Sequence, residues 1–399
     1  MASVVDRLGT FDGVHRRNLS KLLALAHLEG PLSRARLTSE TGLNRSTVAA
    51  LATELVDLGL VEERAPDPTK RVGRPSPVVA VHPGVQVIAV NPEVDAVTVA
   101  AVGLNARIVV RERLEVDHLV TPDETAELVA GAIARWRRAE LAGVRLIGVG
   151  LAVPGQVRHS DGLVRWAPHL EWTDAPVRAL VEAATGLPTQ VANDATLGAR
   201  AEHLFGAGRG VDDLVYLNGG ASGIGGGLVV EGRLVGGARG YAGEFGQNRP
   251  GISSAGDRRA PDGVLEDEVS RARLLEVVGR ASADEPTLAG LLAASEDPAV
   301  ADELARQQRI LATALGNAIN VLNPSLIVLG GFLATLAEWN PDALDAAVAA
   351  QALPVAAEGL EIRVAELGEN RLLIGAAELA FADLLADPLA EQLVDPLVG

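Results

Sequence analysis

Apolar residues recur at helical spacing through the first sixty positions of the chain. Leu19, Leu22, Leu23, Leu25 and Ala26 mark one face of a first helix. Pro31-Leu32-Ser33 then opens a short helix from Arg34 to Thr41. Ser33 is its expected N-cap, because a serine oxygen accepts a backbone N–H that a helix start leaves free. Gly42 stops it. Asn44 caps a third helix in which Val48, Leu51, Leu55 and Leu58 share a face, and Gly59 ends it. The period then changes. Leu60-Val61-Glu62-Glu63 and Pro77-Val78-Val79-Ala80-Val81 read as two strands of a hairpin. Three helices followed by such a hairpin predict a winged helix-turn-helix over residues 17–82.

Beyond residue 83 the pattern is that of an α/β body. Val85 to Val90, Ala96 to Val102 and Ala106 to Leu114 are β-branched runs separated by turn residues. Helices are expected over 123–139, 174–185 and 195–204, with strands at Leu146 to Leu151 and Thr189 to Ala192. A second round starts at the strand Leu214 to Leu217 and a glycine-rich hairpin. It continues through helices 264–279 and 298–321, the strands Leu326 to Leu329 and Glu361 to Val364, and a helix 372–386. Two α/β lobes in tandem predict a cleft, and ligands of open α/β sheets bind at the carboxyl ends of strands. The expected division is a head over 1–82, a first lobe over 83–205 and a second lobe over 206–399.

Charge separates the head from the rest. Residues 1–82 hold eleven Lys and Arg against nine Asp and Glu, whereas the whole chain has 35 against 52 and a net charge of −17. A basic excess on a small head joined to an acidic body suits duplex DNA, with the acidic body repelling DNA from other faces. The competing reading is a three-helix protein-binding module with a solvated charged face, and the charge distribution disfavours it. Arg45, Ser46 and Thr47 follow Asn44 at the start of the third helix, where side chains reach base edges and free N–H groups meet phosphate. Arg64 to Ser76 holds Lys70, Arg71 and Arg74, the last in a Gly-Arg-Pro tip that suits a narrow minor groove. The predicted DNA-contacting set is Arg36, Asn44, Arg45, Ser46, Thr47, Lys70, Arg71 and Arg74.

Composition narrows the remaining classes. The 399 residues are 48% hydrophobic and 22% charged, in keeping with two or three globular domains. No apolar run reaches the roughly eighteen residues of a membrane span. Asp6 and Asp12 interrupt the N-terminus, unlike a signal peptide. A cytoplasmic protein without a membrane partner is expected. The absence of cysteine excludes disulfides, thiolate metal sites and cysteine nucleophiles.

Several motifs then fall in a recognisable order. They are Val153-Pro154-Gly155, Ala167-Pro168-His169-Leu170, Asn193-Asp194-Ala195 with Ala201-Glu202 and Gly206, and Ser222-Gly223-Ile224-Gly225-Gly226-Gly227. Gly240-Tyr241-Ala242-Gly243-Glu244-Phe245-Gly246 and Asn323-Pro324-Ser325-Leu326-Ile327-Val328-Leu329-Gly330-Gly331 complete the series. Together they resemble the ROK family of repressors and sugar kinases over nearly the whole chain. A winged helix on this body resembles the repressor branch, which includes xylose and N-acetylglucosamine repressors. The resemblance implies an actin-like, hexokinase-type two-lobe body that binds a sugar or sugar derivative in the cleft. It also implies operator DNA as partner and a homodimer, or a tetramer built from it.

Two departures from the family pattern shape the functional expectation. Where family kinases carry an Asp-x-Gly-Gly-Thr phosphate loop, this chain reads Val90-Asn91-Pro92-Glu93-Val94-Asp95. Pro92 lacks an N–H and the two acids repel phosphate, so no kinase activity is expected. The family's zinc cluster is also missing. Gln247 replaces its histidine, Val264 stands where its last cysteine falls, and no histidine follows His203. No metal or other cofactor is expected, and the loop Asn248 to Gly263 must be held otherwise or move.

The resemblance implies His169, Asn193, Asp194, Glu244 and Gln247 as effector-binding residues. Asp194 matches the family kinases' proton acceptor, but a carboxylate serves equally as a plain acceptor for a hydroxyl. Asn193 could also be only the N-cap of the following helix. Trp166 and Trp172 flank His169, and either could stack on a sugar or belong to the core. The glycine run 222–227 could be a ligand loop or only a tight hairpin. A sugar kinase with a DNA-binding head and a ligand-independent DNA-binding regulator stay open as alternatives.

Overall fold

The computed structural model describes residues 4–65, 76–221, 223–252, 254–260 and 263–390. The head consists of α1 (Val4–Glu29), β1 (Leu32–Ser33), α2 (Arg34–Thr41), α3 (Arg45–Asp57), β2 (Val61–Arg64) and β3 (Val78–Val81). Leu19, Leu22 and Leu23 of α1, Leu37 of α2, and Val48, Leu51 and Leu55 of α3 are buried together as the sequence period requires. Both N-caps form. Ser33 Oγ accepts the Arg36 N–H at 3.2 Å, and Asn44 Oδ1 accepts the Thr47 N–H at 2.8 Å. Gly42, at φ 71°, closes α2. β3 lies between β1 and β2 in an antiparallel sheet. β1 was not expected, since two residues carry no period. Lys70, Arg71 and Arg74 lie outside the described residues.

The chain continues through β4 (Val85–Pro92), β5 (Ala96–Gly103), β6 (Arg107–Glu115), α4 (Pro122–Trp136) and β7 (Arg145–Val153). Next come β8 (Gln156–Arg158), β9 (Leu163–Ala167), β10 (Trp172–Ala175), α5 (Val177–Thr185), β11 (Thr189–Asn193) and α6 (Asp194–Phe205). The order β11-β7-β4-β5-β6 defines a five-stranded sheet. β4 and β5 are buried along their whole length, whereas β6 is an edge strand of alternating exposure. Two expectations need correction here. Helix 123–139 ends at Trp136. Residues 174–175 belong to β10, which pairs with β9, so the helix expected from 174 starts at Val177.

The remaining elements are β12 (Leu214–Gly219), β13 (Ile224–Val230), β14 (Arg233–Leu234), α7 (Leu265–Glu268), α8 (Arg271–Val277), α9 (Glu285–Ala293) and α10 (Pro298–Leu322). They end with β15 (Leu326–Gly331), α11 (Phe332–Trp339), α12 (Pro341–Ala349), β16 (Glu361–Val364) and α13 (Arg371–Ala386). A second five-stranded sheet has the order β14-β13-β12-β15-β16. The helix expected over 264–279 is broken: Val269 is extended, and this separates α7 from α8. No helix among the described residues is long and apolar enough to cross a membrane.

The chain forms two compact units, each built from separate stretches. One comprises Met1–Leu151, Pro176–Val191 and Ala376–Gly399; the other comprises Ala152–Ala175 and Ala192–Gly375. Within the first, α1 is fastened along α13. Arg16 Nη1 donates to Asp387 at 2.6 Å, and Ser20 Oγ donates to the Leu385 carbonyl at 2.6 Å. The buried His27 ring meets Glu378 through Nε2 at 3.2 Å. His27 Nδ1 accepts the Asn105 N–H at 3.1 Å, so Nε2 carries the ring proton. The Asn105 amide also donates to the Ala26 and His27 carbonyls, which the end of α1 leaves free. α13 presses on β7: a Cβ at Gly150 would stand 1.9 Å from the Ala376 carbonyl oxygen.

The second unit packs α10 and α11 against its sheet. Leu311, Leu315 and Ile319 share a core with Ile327, Leu329, Phe332 and Leu333. The glycine run of β13 permits close packing. A Cβ at Gly225 would stand 2.5 Å from the Ala195 Cβ, and one at Gly227 would stand 2.4 Å from the Ala199 Cβ. β13 pairs antiparallel with β12 throughout, so these glycines form a hairpin strand seated against α6.

Candidate functional site

In the head, the start of α3 is open to solvent. Arg45 and Ser46 are exposed, and Ala49 and Ala50 follow on a face without bulky side chains. Asn44 Oδ1 is engaged in capping and also accepts the Ser46 hydroxyl at 2.6 Å. A surface hollow is lined by Arg34, Thr38, Arg45, Ala49, Ser76 and Pro77. Arg34, which sequence reasoning did not single out, is ion-paired with Glu63. Arg36 lies within 3.3 Å of Glu29 and 3.5 Å of Glu40, so its charge is partly answered within the head.

In the second unit a cavity of about 160 Å³ is lined by all five residues implicated by the sequence: His169, Asn193, Asp194, Glu244 and Gln247. It is smaller than the roughly 300–1,000 Å³ of drug-sized sites, which suits a compact ligand. Asn193 ends β11 and caps α6. Its Oδ1 accepts the Thr196 N–H at 2.9 Å, and its Nδ2 donates to the Gly155 carbonyl at 3.0 Å and to Asp194 at 3.1 Å. The capping role therefore exists within the pocket wall. Asp194 Oδ1 also accepts the Ala195 N–H at 2.7 Å.

Burial pushes Asp194 up to about 6, against the Ala195 N–H and the Arg371 charge, which favour its ionised form. Partial burial and the nearby Glu266 carboxylate push Glu244 up as well, against a hydrogen bond from Gln156. Gln247 Nε2 donates to Glu266 Oε1 at 2.6 Å, and the Ile224 N–H donates to Glu266 Oε2 at 3.1 Å. Glu266 is a pocket residue that sequence reasoning missed. The Leu265-Glu266 pair after Val264 was its only sequence signal. Trp166 lines the cavity and is 54% exposed, whereas Trp172 is 3% exposed and belongs to the core. The cavity thus offers carboxylates, amides, an imidazole and an indole face, the groups that recognise a polyol.

A thiolate zinc cluster does not fit this chain. Thiolate donors are absent from the sequence, and the described residues contain no cluster of three or more His, Asp or Glu able to hold a metal. Glu266 and Gln247, at the edges of the loop concerned, bond to each other.

Residues 90–95 form the end of β4 and its turn into β5. Pro92 pairs with Val97, and the Glu93 N–H donates to the Ala96 carbonyl at 2.7 Å. The Glu93 carboxylate accepts from Asn91 at 3.0 Å, Thr98 at 3.3 Å and Arg113 at 3.3 Å.

Comparison with known proteins agrees with these features. A helix-turn-helix domain of IclR type matches residues 17–65, and the ROK family matches residues 87–383. The xylose repressor of Caldicellulosiruptor bescii is 25% identical over 93% of this chain and 98% of its own length. A glucokinase of Halalkalibacterium halodurans is 32% identical over 58% of this chain and 74% of its own. The crystal structure of a ROK family transcriptional regulator, a homologue of the E. coli MLC protein, shares the fold. It has a TM-score of 0.75 at 23% identity and covers 95% of this chain and 99% of its own. An actin-like α/β body with an N-terminal helix-turn-helix, matched over most of its length by one family, makes this chain a member of the ROK family.

Proposed function

We propose that this chain is a sugar-responsive transcriptional repressor. Its head binds double-stranded operator DNA, and the cavity of the second unit binds a small aldose or a derivative of one. The observation that carries this reading is the convergence of His169, Asn193, Asp194, Glu244 and Gln247 on one cavity, in a chain that also carries a winged helix. A sugar's hydroxyls need fixed partners once they leave water, and this wall supplies both donors and acceptors. The relatives named for xylose repression and for glucose phosphorylation make D-xylose and D-glucose the first candidates. In the head, Arg36, Asn44, Arg45, Ser46 and Thr47, with Lys70, Arg71 and Arg74 beyond the described residues, form the DNA-contacting set. A homodimer would set two heads on half-sites about 34–36 Å apart.

The same reading assigns no phosphoryl transfer. A phosphate-binding loop needs backbone N–H groups free to meet the anion. Between residues 90 and 95 the chain instead makes a strand turn whose acid is held by Asn91, Thr98 and Arg113. The glucokinase relative favours the alternative of an active sugar kinase.

The test is a titration of promoter duplex at fixed salt, with and without D-xylose or D-glucose, together with a coupled assay of ATP turnover. One sugar is expected to change operator affinity, without turnover. Sugar binding that leaves operator affinity unchanged, or sustained turnover, would overturn the proposal.

A further inference from the structure

Arg306 of α10 lies buried between two carboxylates. Side-chain exposure is 2% for Arg306, 1% for Glu268 and 8% for Glu303. Arg306 Nε and Nη2 donate to the two Glu303 oxygens at 2.8 and 2.6 Å. Nη1 donates to Glu268 Oε2 at 3.1 Å and to the Asp257 carbonyl at 2.9 Å, and Nη2 also donates to the Glu268 carbonyl at 2.7 Å. Glu268 in turn accepts the N–H of Arg259 at 3.0 Å and of Ala260 at 2.8 Å. Gln307 completes the set. It donates to Glu303 at 2.8 Å and exchanges hydrogen bonds with both backbone groups of Ser270, just where the chain leaves α7.

Buried charges are tolerated only when they are paired and fully hydrogen-bonded, and this cluster meets that condition. What it holds is specific. It ties the segment 257–260 and the C-terminal end of α7 to the long helix α10. At 3.6 residues per turn, Glu266 and Glu268 leave α7 about 200° apart. Glu268 is anchored on Arg306. Glu266 lines the ligand cavity, where it binds Gln247 and the Ile224 N–H. One four-residue helix therefore joins the buried cluster to the cavity wall.

We propose that Arg306 is a positioning residue for the ligand, acting through α7 to hold Glu266 and Gln247 in place. It gives this loop an anchor of protein charges in a region whose residues do not fit a thiolate zinc cluster. The inference rests on the reading of the cavity as a ligand site, and its test separates the two.

Amide hydrogen exchange is first measured on ligand-free protein. Arg306→Met is expected to raise exchange about tenfold or more at Arg259 and Ala260, and also at Ile224, whose N–H donates to Glu266. D-xylose and D-glucose affinities are then measured for Arg306→Met, Glu266→Gln and the double variant. Arg306→Met should weaken binding about tenfold, and by less than about twofold once Glu266→Gln is present, because coupled residues are not additive. Arg306→Lys should restore part of the affinity. Operator affinity without sugar should not change. Chelation by EDTA should leave wild-type affinity and exchange as they were.

Unchanged exchange at Ile224 in folded Arg306→Met, additive losses in the cycle, or a loss on EDTA treatment would each overturn the proposal. If Arg306→Met does not fold, adding Glu268→Gln and Glu303→Gln removes the stranded charges, and the same measurements are read. If the wild type binds neither sugar, the cavity reading fails, and exchange at Ile224 alone decides the role of Arg306.

Discussion

Asp194 has one carboxylate oxygen engaged by the Asn193 amide and the Ala195 N–H, and it is held protonated up to about pH 6 by burial. An unfolded aspartate ionises near 3.9, so between about pH 4 and 6 the folded state binds the extra proton. The contribution of Asp194 to stability is therefore present below the unfolded value and lost as pH rises through about 6. Sugar binding should run the other way, because an ionised acceptor makes the stronger hydrogen bond. Calorimetric titration from pH 5 to 7.5 is expected to show affinity rising through about pH 6. Asp194→Asn should flatten that profile, weaken sugar binding about tenfold and gain about 1–3 kcal/mol of stability at neutral pH. A variant with unchanged affinity would remove Asp194 from the ligand contacts. The five cavity residues were legible because each stood in a recognisable block. Glu266 was not, because the cysteines that would flag its position are missing. Nor could composition tell Trp166 from Trp172: only the pairing of β9 with β10 places one at the cavity and the other in the core.

At the level of elements, α3 presents Arg45 to solvent, whereas Arg36 of α2 is already paired with Glu29 and Glu40. Arg45→Ala should lower operator affinity and reduce the slope of log K against log salt by about one. Arg36→Ala should do less of both. Equal effects in a salt-series binding assay would show that the Arg36 pairs open on DNA. In β13, Gly227→Ala would force a methyl group to within 2.4 Å of the Ala199 Cβ, and a loss of about 1–3 kcal/mol is expected by chemical denaturation. The caps at Ser33 and Asn44 were readable because capping is a local rule of residue type and spacing. The break between α7 and α8 was not. The apolar period of Leu265, Val269 and Leu274 runs on regardless, and what parts the helix is the pairing of Ser270 with Gln307, thirty-seven residues away. Strand positions followed from β-branched runs, but the neighbour order β11-β7-β4 depends on long-range pairing that no window of sequence contains.

For the molecule as a whole, repression relieved by sugar is a coupling free energy between two sites, and such a coupling is reciprocal. If sugar lowers operator affinity by some factor, saturating operator should lower sugar affinity by the same factor. Paired titrations that gave unequal factors would mean that the two ligands do not share one equilibrium. The fastening of α1 to α13 carries a genetic consequence. Asp387, Leu385 and Glu378 grip the first helix of the head from the opposite end of the chain. A premature stop codon shortly before Arg371 would leave the whole proposed DNA-contacting set encoded and yet release the helix that supports it. Such nonsense alleles should be indistinguishable in a reporter screen from lesions in the codons for residues 17–65.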